Sequence, residues 1–191
     1  MKNVILVSLA IFISTNVFSQ DSLPPHLKGK IKYPIIDLTP FMGVLDVDVD
    51  ALPYDASLDY RVVIDVYDSL KDSTKIYMPF SEAARTYNLN IANGVPKDKL
   101  RMAVVFHNFN MDPVFNDESY KAKHGIENPI AELIRKLKEL GVHFYVCGQI
   151  LGFMNIPKEN LAPEIEVAIS AKTAFIMLDQ MGYSYLNVNE D

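Results

Sequence analysis

A single cysteine, Cys147, is the whole thiol inventory of this 191-residue chain. One cysteine excludes an internal disulfide, and without a resolving partner it also excludes an intramolecular disulfide oxidoreductase. No GxGxxG or other phosphate-cradling glycine run occurs, Gly148 and Gly152 being isolated, so no nucleotide cofactor is expected. The GxSxG nucleophile elbow is missing too, which sets hydrolase chemistry of that kind aside. His107, His124 and His143 form no metal-ligand spacing with one another or with Cys147, so no metal is expected. Asp46, Asp48 and Asp50 imitate the start of a calcium loop, but Ala51 stands in the glycine position and Ser57 in that of the closing glutamate. Alternating Val and Asp there describes a half-exposed strand instead. Positive charge is scarce: 18 Lys and Arg oppose 24 Asp and Glu, for a net charge of −6. With charges of both signs dispersed, nucleic acid is not an expected partner.

The opening MKNVILVSLAIFISTNVFSQ has a positive Lys2, an apolar run from Val4 to Ile13, and Val17, Phe18 and Ser19 leading into Gln20 like a cleavage site. This pattern predicts a signal peptide over residues 1–19 and a periplasmic or secreted mature protein, with no membrane partner after cleavage. The run falls short of the roughly 20 residues that span a bilayer, and no cysteine near Ser19 could carry a lipid. The mature chain, about 170 residues, suffices for one domain with a proper core.

Residues 20–58 carry five prolines in the stretch from Asp21 to Tyr60 and no helical period, which predicts an extended arm packed on the domain or on a neighbouring subunit. From residue 59 to 191 the pattern becomes regular. Tyr60–Asp68 and Arg101–His107 read as strands, the second apolar enough to be covered on both faces. Between them PFSEAARTYNLNIANG reads as a helix with Ser81 as N-cap and Gly94 near its end. A longer loop leads to NPIAELIRKLKELG, a helix with Asn128 as cap, Pro129 in the first position and Gly141 at its end. VHFYVCG is a third strand and QILGFMNIPKENL a short helix broken by Pro157. Ile165–Ile169 is a fourth strand, Lys172–Met181 a last helix closed by Gly182, and YSYLNV a fifth strand. Strands alternating with helices predict a single α/β domain whose five-stranded, mostly parallel sheet is flanked by helices. Such sheets bind ligands beyond the carboxyl ends of their strands, where His107 and Cys147 fall.

VVFHNFN, YKAKHG, NPIAELIRKLKELGVHFYVCGQ, NIPKENL and EVAISAKTAFIMLDQMGYSYL together resemble the DsrE/DsrF-like family, which includes YchN-like and TusD-like proteins, and within it the secreted single-domain branch. The likeness spans roughly Tyr60 to Val188, with Gly141, Tyr145, Cys147, Gly148 and Gln149 in register. It implies a five-stranded α/β sheet, a homo-oligomer (trimer or hexamer), and a cysteine that carries sulfur as a persulfide, placed by the CGQ motif at Cys147. Asn108 departs from the small residue that often follows the FH pair. The partners implied are a sulfur donor or acceptor protein, or a small sulfur species.

Cys147 admits two readings. As a catalytic residue it would act as a thiolate, lowered from a thiol pKa of about 8.5 by a following helix N-terminus or a cation, and His107 could take its proton. Asn108, Gly148 and Gln149 would then line the ligand-binding edge. The function on this reading is sulfur relay or sulfane-sulfur binding, a carrier or sulfurtransferase-like activity. On the other reading Cys147 is a small apolar residue closing a buried strand, and the protein is a non-catalytic oligomeric module that binds a small ligand or partner. His107 then serves as a hydrogen-bonded strand-end residue.

Overall fold

The computed structural model describes residues 24–27 and 29–188. The expected signal segment 1–19 lies outside the described residues, as do the last three positions. The described residues open on a single 3-10 turn, Pro25–Leu27, followed by a two-stranded antiparallel ribbon of β1 (Ile31–Lys32) and β2 (Val44–Leu45). Next come β3 (Tyr60–Val66), α1 (Met78–Ala92), β4 (Leu100–Phe106), α2 (Asp117–His124), α3 (Ala131–Glu139) and β5 (His143–Cys147). The chain continues through α4 (Gly148–Phe153), β6 (Ile165–Ala168) and α5 (Ala171–Gln180) to β7 (Ser184–Asn187).

β3 to β7 form one sheet in the order β6-β5-β4-β3-β7, with every neighbouring pair parallel. β4 lies at its centre and buries every residue except Arg101, the outcome its unbroken apolar run requires. Alternation along the strands then divides the side chains between two layers. On one face Ile64, Val66, Met102, Val104, Phe106, Phe144 and Val146 pack against Phe80, Ala84 and Tyr87 of α1 and Leu133, Ile134 and Leu137 of α3. Phe80 is its aromatic hub, with ring centroids 6.1 Å from Phe106 and 5.8 Å from Phe144. On the other face Val63, Ala103, Val105 and Cys147 meet α5 through Ala171, Ala174 and Leu178, with Ile150 of α4 and Tyr183 packed at the margin.

The N-terminal arm packs on its own domain. Asn88 of α1, fully buried, accepts hydrogen bonds at Oδ1 from the amides of Ile35 (3.2 Å) and Ile36 (3.1 Å). Its Nδ2 donates to the carbonyls of Ile36 and Met42, each at 2.8 Å. Ile36 and Met42 thereby enter the main core.

Several local expectations are corrected. α1 starts at Met78 behind Tyr77, with Pro79 in its first turn, and Ser81 is a buried residue of the helix rather than its cap. α3 starts behind Ile130; Asn128 sits two residues earlier, accepting from the Ile130 amide (3.0 Å) and donating to the Phe115 carbonyl (2.7 Å), so it shapes the loop. Residues 46–50 form no strand, because the antiparallel partner has begun only at Ile31, opposite Leu45, and past it a single backbone bond from the Asp46 amide to the Lys30 carbonyl remains among the described residues. The long loop after β4 contains α2, capped by Asn116, whose Oδ1 accepts from the Ser119 amide. Gly141 and Gly182 do end their helices, at φ values of +85° and +79° that favour glycine.

Candidate functional site

β4 and β5 are adjacent and parallel, with Phe106 opposite Val146. One residue further on, His107 succeeds β4 and Cys147 closes β5, both at the carboxyl edge. Alternation places both on the face that α5 covers, as it does Asp65 and Tyr67 of the β3 line. The two expected catalytic residues therefore share one edge and one face. No hydrogen bond joins them.

His107 is held by a different partner. Its Nε2 lies 2.7 Å from Oδ1 of Asp65, and its amide donates to the Val66 carbonyl (3.1 Å). The Tyr185 hydroxyl of β7 donates to the other carboxylate oxygen of Asp65. That bond raises the Tyr185 phenol to about 12, because ionising it would set two anions against each other. Tyr67 and Phe175 flank the imidazole, at centroid distances of 5.7 Å and 6.1 Å, and Phe175 stacks edge-on to Tyr185 at 5.6 Å. Asp65 is 6% exposed, whereas the His107 side chain is 29% exposed.

Asp65, Tyr67, Phe175 and Tyr185 were not among the residues expected here. The available signal was Asp65 itself, a carboxylate within the apolar strand VVIDV. A buried carboxylate has to be paired or hydrogen-bonded, and its partner must lie on a neighbouring element.

Cys147 is 6% exposed and packs among Val63, Ala103, Val105, Ala171, Ala174 and Leu178. It occupies the N-cap position of α4, yet its side chain makes no cap bond, and α4 is only six residues long. The expected aid from a helix N-terminus is therefore slight.

The expected ligand-lining residues are used locally. Asn108 donates to the Tyr67 carbonyl and accepts from the Asn110 amide (2.7 Å), fixing the turn after His107. A Cβ on Gly148 would lie 2.8 Å from the Ala168 carbonyl oxygen and 3.2 Å from Val167, so glycine allows α4 to start against β6. Exposed Gln149 donates from Nε2 to the Ile169 carbonyl (3.0 Å), tying α4 to the loop before α5.

His124 and His143 each face a carboxylate away from this edge. His124 Nε2 is 2.8 Å from Oδ2 of the buried Asp112, whose Oδ1 accepts from Lys123 (2.7 Å). His143 lies 3.4 Å from Glu166, which also accepts from Lys138 at 2.8 Å. Among the described residues no group of three His, Cys, Asp or Glu side chains is arranged to hold a metal ion. A groove of about 680 Å³ lies between Thr39–Phe41 and Asp68–Pro79, lined in part by Leu70, Lys71 and Tyr77, and it includes none of the expected site residues.

The pattern of the DsrE/DsrF-like family matches residues 62–188, a span that contains Asp65, His107, Cys147 and Tyr185. The chain belongs to the DsrE/DsrF-like family. No curated protein matches it. Among solved structures, this DsrE-like chain is similar to MTH1491 of Methanobacterium thermoautotrophicum, a protein described as of unknown function. The two are 18% identical, the match covers 68% of this chain and 99% of that one, and the TM-score is 0.50. That likeness supports the DsrE-like α/β architecture and speaks to fold alone.

Proposed function

We propose that this DsrE-like protein binds or relays sulfane sulfur as a persulfide on Cys147, with His107 as the acid–base group beside it. The observation that carries this reading is the placement of Cys147 and His107 on adjacent strand ends of one sheet face, with the imidazole already oriented by a carboxylate. Orientation of the base by a third group is the arrangement that activates weak nucleophiles. His107 takes the thiol proton and the thiolate attacks the outer sulfur of a donor R–S–SH. A new S–S bond forms to Cys147, the donor S–S bond breaks, and R–S⁻ leaves with the electron pair and recovers the proton. The product is Cys147–S–SH, and no redox partner is consumed. A thiol only 6% exposed favours small donors over a bulky protein thiol.

The same burial supports a second reading, a non-catalytic oligomeric module in which Cys147 only packs the sheet. Intact mass after exposure to polysulfide separates the two. A gain of about one or more sulfur atoms, reversed by reductant and absent in Cys147→Ser, is expected for the carrier. No gain, with ligand binding retained in the variant, would leave the module.

The proposal includes homo-oligomerisation and residence in the periplasm or outside the cell. Exposed Ile169, Ile176, Met177 and Met181 on and beside α5 support the first; the sequence of residues 1–19 supports the second. Sedimentation at several concentrations tests assembly, and a monomer throughout would overturn it.

A further inference from the structure

Both oxygens of the Asp65 carboxylate are occupied within the protein, Oδ1 by His107 Nε2 and Oδ2 by the Tyr185 hydroxyl. His107 is different: of its ring atoms only Nε2 has a hydrogen-bond partner among the described residues, Nδ1 having none there, and the ring is partly open to solvent. Each carboxylate oxygen already accepts from a protein donor and Asp65 is buried, so the imidazole of His107 is the more open face of the pair. The hydroxyl on the far carboxylate oxygen acts as a latch, fixing the plane of the carboxylate as well as meeting the need of a buried acceptor. Here the latch comes from β7, on the other side of β3 from His107, so three strands share in fixing one ring.

We infer that Asp65 is the positioning residue of this site: it holds the neutral imidazole of His107 in the Nε2–H form, leaving Nδ1 as the basic atom offered to the reactant, while Tyr185 stops the carboxylate from turning away. The inference rests on the sulfur-carrier reading for what the reactant is, but not for the geometry. An ionised carboxylate only accepts, so the proton between Oδ1 and Nε2 belongs to the nitrogen. A carboxylate behind a histidine sets which nitrogen is basic and how the ring faces. The rings of Tyr67 and Phe175 limit its rotation from the sides.

The test uses nitrogen-15-labelled protein. Two-bond correlation spectra of the imidazoles, with His107 assigned by its loss in His107→Gln, read the tautomer directly. Wild-type protein is expected to show neutral His107 protonated at Nε2, and Asp65→Asn to show a mixture or inversion of the two forms. In parallel, sulfur loading of Cys147 is expected to slow by about 10- to 100-fold in Asp65→Asn, the usual cost of losing a group that orients a functional histidine. Neutral wild-type His107 protonated at Nδ1 overturns the inference, with no variant needed. So does slower loading in Asp65→Asn with unchanged His107 signals, which would mark Asp65 as merely structural. If wild-type protein takes up no sulfur while the tautomer responds as expected, the carrier reading fails and the positioning role stands.

Discussion

The Asp65 carboxylate on β3 sits 2.7 Å from Nε2 of His107 at the end of β4, although 42 positions separate the two in the chain. Parallel pairing of β3 with β4 accounts for this: Asp65 stands opposite Val105, two residues before His107 and on the same face. An acidic residue in an apolar strand and a histidine at a strand end each have an ordinary explanation when taken alone. Together with Tyr185 they form a hydrogen-bonded group whose imidazole is partly open to solvent.

Accessibility of the thiol is the first expectation to check. In the folded protein Cys147 should react with a bulky maleimide roughly tenfold or more slowly than in the unfolded chain, because apolar side chains surround it. Small sulfur donors should be much less impeded. Rates measured by quenched mass spectrometry decide the matter; equal native and unfolded maleimide rates would show an open thiol.

Asn88→Ala should lower stability by roughly 3 kcal/mol or more, since it leaves buried backbone groups of Ile35, Ile36 and Met42 without partners. Denaturant titration gives the magnitude. Hydrogen exchange should locate the loss in residues 35–42 while the β4 amides keep their protection.

Gly148→Ala should destabilise by about 1–3 kcal/mol through overpacking against the Ala168 carbonyl and Val167. A thermal shift downward, with exchange increasing in β6 and α4, is expected. Unchanged stability would mean that the α4 start moves freely.

Glu166 provides a pH-dependent check. Its hydrogen bond from Lys138, with a further contribution from His143, holds its carboxyl below the usual range despite opposing desolvation. A depressed folded-state pKa stabilises above the unfolded value and loses that contribution as pH falls through the folded one. Glu166→Gln should therefore be less stable at pH 6, by about 0.2–1 kcal/mol for so exposed a pair. The difference should shrink progressively as the solution is acidified below pH 4, read as the gap between two denaturation midpoints.

Much of the fold was legible because strand and helix periods alternate clearly from Tyr60 onward, and glycine closes helices at Gly141 and Gly182. α2 was missed for a physical reason: in DESYKAKH only Tyr120 is buried, so hydrophobic periodicity is nearly absent. Its capping pattern was nevertheless present, with Asn116, then Asp117 and Glu118, then basic residues and Gly125. Residues 46–50 misled in the opposite way, since alternation without a pairing partner makes no strand. The edge that joins His107 to Cys147 could be read from the α/β pattern. Tyr185 could not, because its bond to Asp65 crosses 120 positions and depends on β7 lying beside β3.

The unequal covering of the sheet has a consequence for motion. One face is held by two helices and the arm, whereas the other is closed chiefly by the ten-residue α5, with Ile150 of the short α4 at its margin. Segments with few buried apolar contacts open at lower free energy than the global transition. α5 is thus the part of the protein expected to detach first, lifting Ala171, Ala174 and Leu178 from the sulfur. Access of any reagent to Cys147 is then expected to follow how often that helix lifts, an opening equilibrium rather than a property of the sulfur itself.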